Sequence, residues 1–128
     1  MKSIDTATLR ASWRDVLAEA RTGAEAFVIL QHGRPEAVLL SEAEWLLGGA
    51  TVPVLERDQR CWAASDVRSC LRAVRTAAHM HGRHTLIRKP YGSLFKDGSA
   101  MQFVAVIAPY EWVRQALPEL RDGRVSVH

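Results

Sequence analysis

Arg10 and Arg14 stand one helical turn apart in "TATLRASWRDVL", and Arg68 and Arg72 repeat that spacing in "ASDVRSCLRAVR". Each pair puts two guanidinium groups on one helix face close to where a helix is expected to begin. Thr6, Thr8 and Ser65 add hydroxyl groups beside them. Helix starts also present free N–H groups and the positive end of the helix dipole. Arginine forks, hydroxyls and a helix start together suit phosphate oxygens, and an arginine fork can also read a guanine edge. The chemistry expected is therefore binding of an anionic polymer. No catalytic set accompanies it. The chain has no glycine-rich phosphate loop, no paired-carboxylate signature and no nucleophile embedded in a motif. Glu36, Glu42 and Glu44 are close in sequence, but Glu44 is better placed to cap a helix. The expectation is a protein that is not an enzyme and that takes no cofactor. Cys61, Cys70, His79, His81 and His84 raise the question of zinc. Their spacings are not those of a finger or knuckle. Cys70 is expected beside the buried stripe of a helix, the histidines facing solvent, and no metal bound.

The charge distribution points the same way. The chain of 128 residues carries a formal net charge of +3. Residues 1–50 hold 5 basic and 7 acidic residues, and residues 51–128 hold 12 and 7. Within residues 66–96 seven basic residues (Arg68, Arg72, Arg75, Arg83, Arg88, Lys89 and Lys96) face a single acid, Asp66. Such a local excess fits an anionic partner, most often nucleic acid, or else a solvated basic face. Hydrophobic residues make up 48% of the chain, enough for a packed core and too many for disorder. No apolar run approaches the ~20 residues of a membrane span. Met1 to Asp5 lead directly into a patterned segment without a signal-peptide core. Two cysteines make no disulfide framework. The expectation is a cytoplasmic, nucleoid-associated protein with no membrane partner.

Elements to position these residues follow from the apolar pattern. Leu9, Trp13, Val16, Leu17 and Ala20 recur at helical spacing and predict one helix over 7–22. Asp5, Thr6 or Thr8 could cap its start, and Gly23 its end. Residues 26–31 and 36–40 read as two strands joined by the short turn His32-Gly33-Arg34-Pro35, an antiparallel hairpin. Ser41 to Glu44 form a capping box for a short helix ending near Gly48-Gly49. Residues 48–60 (GGATVPVLERDQR) read as a linker. The order then restarts: a strand near Arg60 to Ala64, a helix capped by Ser65 with a stripe of Val67, Leu71, Val74 and Ala78, a strand over 85–88, a return strand over 102–107, and a last helix with Pro109 in its first turn.

The restart reads as a repeat. At an offset of 58, Ile4, Leu9, Arg10, Trp13, Val16, Val28 and Ile29 fall on Trp62, Val67, Arg68, Leu71, Val74, Leu86 and Ile87. At an offset of 67, Val38, Leu39, Leu40, Glu44 and Trp45 fall on Ala105, Val106, Ile107, Glu111 and Trp112. The difference is an insertion in the second hairpin, residues 89–101. There Tyr91, Leu94 and Phe95 are expected to form a partner-binding surface unless they fold back on the core. The tryptophans are expected mostly in the core. A half of ~50–60 residues is near the lower limit for folding alone. The expected fold is α+β: two β-α-β-β-α repeats packed face to face as a pseudo-twofold dimer around a shared antiparallel sheet core. The first repeat spans 1–50, the linker 51–60, the second repeat 61–121, and a short tail 122–128.

Residues 8–40, "TLRASWRDVLAEARTGAEAFVILQHGRPEAVLL", resemble the Phd/YefM family of bacterial antitoxins. The resemblance rests on Leu9-Arg10, Val16-Leu17, Gly23-Ala24-Glu25, His32-Gly33-Arg34-Pro35, and Ser41 to Trp45. It covers about a third of the chain, and the second half matches as a degenerate copy without the turn motif. It implies a dimeric DNA-binding repressor of its own operon, whose C-terminal tail wraps a toxin. The DNA-facing surface it implies is the N-terminal strand and the first helix start, which adds Lys2 to Thr6, Thr8, Arg10 and Arg14. Ser65, Arg68 and Arg72 are the counterparts in the second half. The partners expected are duplex operator DNA, a toxin protein, and a second pseudo-dimer. Residues 121–128 look too short for the toxin-wrapping tail, so DNA-binding regulation is the main expectation. The alternative is an antitoxin or interaction module whose partner is a toxin or another protein.

Overall fold

The computed structural model of the protein describes residues 1–88 and 103–121. The inserted segment lies outside the described residues, and with it the surface expected of Tyr91, Leu94 and Phe95.

Six strands form one sheet: β1 (Lys2–Asp5), β2 (Phe27–Gln31), β3 (Arg34–Ser41), β4 (Gln59–Ala63), β5 (His84–Arg88) and β6 (Phe103–Pro109). Their order across the sheet is β1-β2-β3-β6-β5-β4. β1 runs parallel to β2, and β4 runs parallel to β5. The remaining three pairings are antiparallel. The sheet is therefore mixed, not wholly antiparallel as expected. The two halves of the chain meet edge to edge, along the β3–β6 ladder, and not face to face.

That ladder is central, so both of its faces need covering. Alternation along the strands sends Ile29, Ala37, Leu39, Ile87, Ala105 and Ile107 to one face. Val28, Val38, Leu40, Leu86, Val106 and Ala108 go to the other. The first face packs against α1 (Thr6–Ala11), α2 (Trp13–Thr22), α4 (Ala64–Ser69) and α5 (Leu71–His81). The second packs against α3 (Glu42–Thr51), α6 (Tyr110–Ala116) and α7 (Pro118–Arg121). Burial on both faces explains the unbroken apolar runs "AVLL" and "VAVIA".

Local chemistry fixes most boundaries. Asp5 caps α1 by accepting the Thr8 backbone N–H at 2.7 Å. Ser41 and Glu44 close the expected capping box of α3. Gly23 ends α2 at φ +81°. His32 and Gly33 form a two-residue turn with φ of 52° and 76°. Positive φ at both central positions matches the right-handed twist of a hairpin.

Four expectations are corrected. The first helix is two helices, broken at Ser12, and Cys70 breaks its counterpart in the same way. Gly48 and Gly49 do not end α3, which runs on to Thr51. Gly48 faces Trp112 there, and a Cβ on it would lie 2.7 Å from the indole Cη2. Ser65 is no cap. The residue at the head of α4 is Ala63, which makes no side-chain cap, and Ser65 is instead inside α4, its carbonyl accepting the Ser69 hydroxyl. Pro109 ends β6 and precedes α6 instead of lying in its first turn.

Candidate nucleic-acid interface

The C-terminal ends of α1 and α4 come together, and there Arg10 meets Arg68. Arg10 Nε donates to the Arg68 carbonyl at 3.4 Å, and Arg68 Nε donates to the Arg10 carbonyl at 3.1 Å. Each arginine lies in the last turn of its short helix, not at the helix start as expected. The helix break accounts for this. Ser12 and Cys70 stop α1 and α4 two residues later, so the arginines satisfy carbonyls that a continuous helix would have used itself.

The clasp gathers most of the expected residues. Arg14 and Arg72, in the first turns of α2 and α5, flank it and are exposed, as are Arg10 and Arg68. Arg10 and Arg72 line a polar cleft of about 420 Å³ with Asp5, Thr6, His32 and Arg75. Arg14, Arg68 and Ser65 line another of about 420 Å³, whose floor is apolar. Thr8 is exposed, and its N–H is taken by Asp5. That same bond holds the Asp5 carboxyl below its ordinary range, so a negative charge persists at the α1 start. Lys2 is exposed on the edge strand β1 and lines neither cleft.

One member of the basic cluster is not free. Arg75 is buried, its Nε 3.1 Å from Glu36 Oε1 and its Nη1 2.8 Å from the Thr6 hydroxyl. His79 Nε2 lies 3.7 Å from the other Glu36 oxygen. This network ties α5 of the second half to α1 and β3 of the first. It also commits Arg75 to the interior and takes the Thr6 hydroxyl oxygen as an acceptor. Sequence pattern could not show it, because Arg75 and Glu36 are 39 residues apart. The weak signal was position: Arg75 directly follows Val74 on the buried stripe of α5.

Cys70 and His84 are not where they were expected, while His79 and His81 are. Cys61 and Cys70 are both exposed. His79 and His81 are exposed, but His84 is buried at 3% exposure. Its Nδ1 accepts the Trp45 indole N–H at 2.9 Å, and its ring meets Trp112 edge-on with centroids 4.9 Å apart. Burial drives its pKa down to about 4. Among the described residues, no group of three or more His, Cys, Asp or Glu could hold a metal ion. Trp13, Trp45 and Trp112 are core residues. Trp62 is half-buried beneath the Arg60 guanidinium, 4.1 Å from its ring centroid. Among the described residues, no helix is long and apolar enough to cross a membrane.

No curated protein and no solved structure matches the chain. Residues 1–46 match the family model of the Phd_YefM antitoxin of type II toxin-antitoxin systems, so β1 through the first half of α3 carries the likeness to those antitoxins.

Proposed function

We propose that the chain is an internally duplicated Phd/YefM-type regulator, which binds duplex DNA as a single-chain pseudo-dimer without catalysing a reaction. The reciprocal bond pair between Arg10 and Arg68 carries this reading. Residues 58 apart exchange identical contacts, which is how a twofold interface behaves. The β3–β6 register supports it: Leu39 pairs with Ile107 and Leu40 with Val106, and at the 67-residue offset these two pairs exchange. The strand order likewise reads alike from either edge when β1, β2 and β3 are exchanged for β4, β5 and β6.

Under this reading the clasp centres the molecule on the duplex, and Arg14 and Arg72 reach phosphates on either side of it. Arg10 and Arg68 hold each other's backbone, so removing them would disturb the fold as well as the surface. Arg14→Ala with Arg72→Ala is the cleaner test. The double variant is expected to weaken binding to operator-containing fragments and to lower the slope of log K against log salt by about 2, or ~1 for each lost phosphate contact.

A second reading is an antitoxin that grips a protein. The family match favours it, and so do Leu46 and Leu47, which are exposed on α3 at 55% and 66%. Co-purification of a co-expressed toxin encoded beside this chain, lost in Leu46→Glu with Leu47→Glu, would support that reading.

A further inference from the structure

The two clefts beside the arginine clasp are counterparts in position and opposites in character. In the cleft formed by Thr6, Arg10, Arg72 and Arg75, the interior is polar and Arg75 is tied to Thr6 and Glu36. At the 58-residue offset Arg75 corresponds to Leu17 and Thr6 to Ala64. Both of these line the other cleft, where the ionic network has no equivalent. Trp13, Leu17, Ala18, Ala64 and Val104 make its floor and walls. Arg14, Arg21 and Arg68 also line it, and all three are exposed. Among the described residues no acidic side chain lines it.

A volume of about 420 Å³ falls within the ~300–1,000 Å³ usual for small-molecule sites. The apolar floor disfavours inorganic anions and polar metabolites, whose polar groups would lose hydration against Trp13, Leu17 and Val104. Three guanidinium groups around it exclude neutral hydrocarbons from being the best ligand, since a carboxylate can take an arginine fork with two parallel bonds. We infer that this cleft is a binding site for an organic monocarboxylate with an apolar body, such as an arylalkanoic acid. The body lies on Trp13, Leu17 and Val104, and the carboxylate meets Arg14, Arg21 or Arg68. One cleft thus keeps an ion pair between the two halves of the chain where its counterpart has opened a ligand site.

The experiment titrates the full chain with 4-phenylbutyrate, 4-phenylbutan-1-ol and inorganic phosphate, by calorimetry and by amide chemical-shift mapping. The acid is expected to bind one per chain with Kd below about 1 mM, with shifts centred on α2, α4 and Val104. The alcohol and phosphate are each expected to bind at least about tenfold more weakly. Leu17→Arg, which installs the residue of the opposite cleft, is expected to abolish binding. Ala18→Phe, built from an exposed position that does not threaten folding, is expected to do the same with an unchanged melting temperature. Arg21→Ala is expected to weaken the acid about tenfold and leave the alcohol unchanged. The inference is overturned if the acid does not saturate, if the alcohol or phosphate binds as well as the acid, or if Ala18→Phe binds like the parent.

Discussion

His84 and Arg75 show how single polar residues hold this core together. His84 stands between Trp45 and Trp112, neutral, with its Nδ1 committed to an indole N–H. Protonation would remove that acceptor and bury a charge. Its folded pKa of about 4 lies below the value of about 6.5 for an unfolded histidine. Between those values the unfolded chain binds more protons, so stability falls as pH drops from about 6.5 towards 4. The cost reaches about 3 kcal/mol by pH 4. Denaturant melts at pH 7.5 and pH 4.5 should differ by more in the parent than in His84→Gln, which has no ring proton to gain. Equal pH sensitivity would assign the effect elsewhere. Arg75 and Glu36 act differently, because each is the other's charge partner. Arg75→Leu alone leaves the Glu36 carboxylate largely buried and is expected to cost about 3–5 kcal/mol. The double variant Arg75→Leu/Glu36→Leu should cost less than the single one, which a denaturant-melt double-mutant cycle reads directly.

Elements were legible in the sequence wherever their determinants are a few residues apart. Ser41 and Glu44 complete a box within one turn, His32-Gly33 bends the hairpin locally, and Gly23 supplies its own left-handed φ. Determinants that arrive from across the chain were not legible. The breaks at Ser12 and Cys70 sit where Arg10 and Arg68 cross, 58 residues apart, and nothing in either heptad announces them. Burial of His84 depends on tryptophans 39 and 28 positions away. Gly48 looked like a helix stop because glycine usually is one. Here it is the contact that lets Trp112 lie against α3. Its role can be checked by substitution. Gly48→Ala improves helix propensity by up to ~1 kcal/mol yet drives a methyl into the indole and against the Ala116 Cβ. Overpacking of this kind costs about 1–3 kcal/mol, so the variant is expected to melt lower. Gly49→Ala, with nothing within 4 Å, should melt at or above the parent temperature. A Gly48→Ala variant as stable as Gly49→Ala would show that α3 and α6 are not packed as described.

For the molecule as a whole, the order of elements and the apolar pattern were readable, but the way the two halves of the chain join was not. An unbroken apolar strand fits burial on two faces, yet sequence does not say whether the covering layers are helices or a second sheet. The structure answers with one sheet, helices on both faces, and β3 against β6 at the centre. That join brings Arg10, Arg14, Arg68 and Arg72 to one place, although they are spread over more than 60 positions of sequence. The same join commits Arg75, which composition counts as part of the basic patch, to the interior. A functional claim resting on net charge alone would therefore have overstated the free positive surface. Under the proposed function, the exposed arginines flanking the Arg10–Arg68 clasp contact DNA phosphates. Fluorescence anisotropy on operator-containing duplexes, at salt concentrations from about 50 to 200 mM, tests it most directly. The account predicts a steep salt slope for the parent protein, and for Arg14→Ala/Arg72→Ala weaker binding with a slope smaller by about 2 at an unchanged melting temperature. A double variant that binds with the parent's affinity and slope would contradict it.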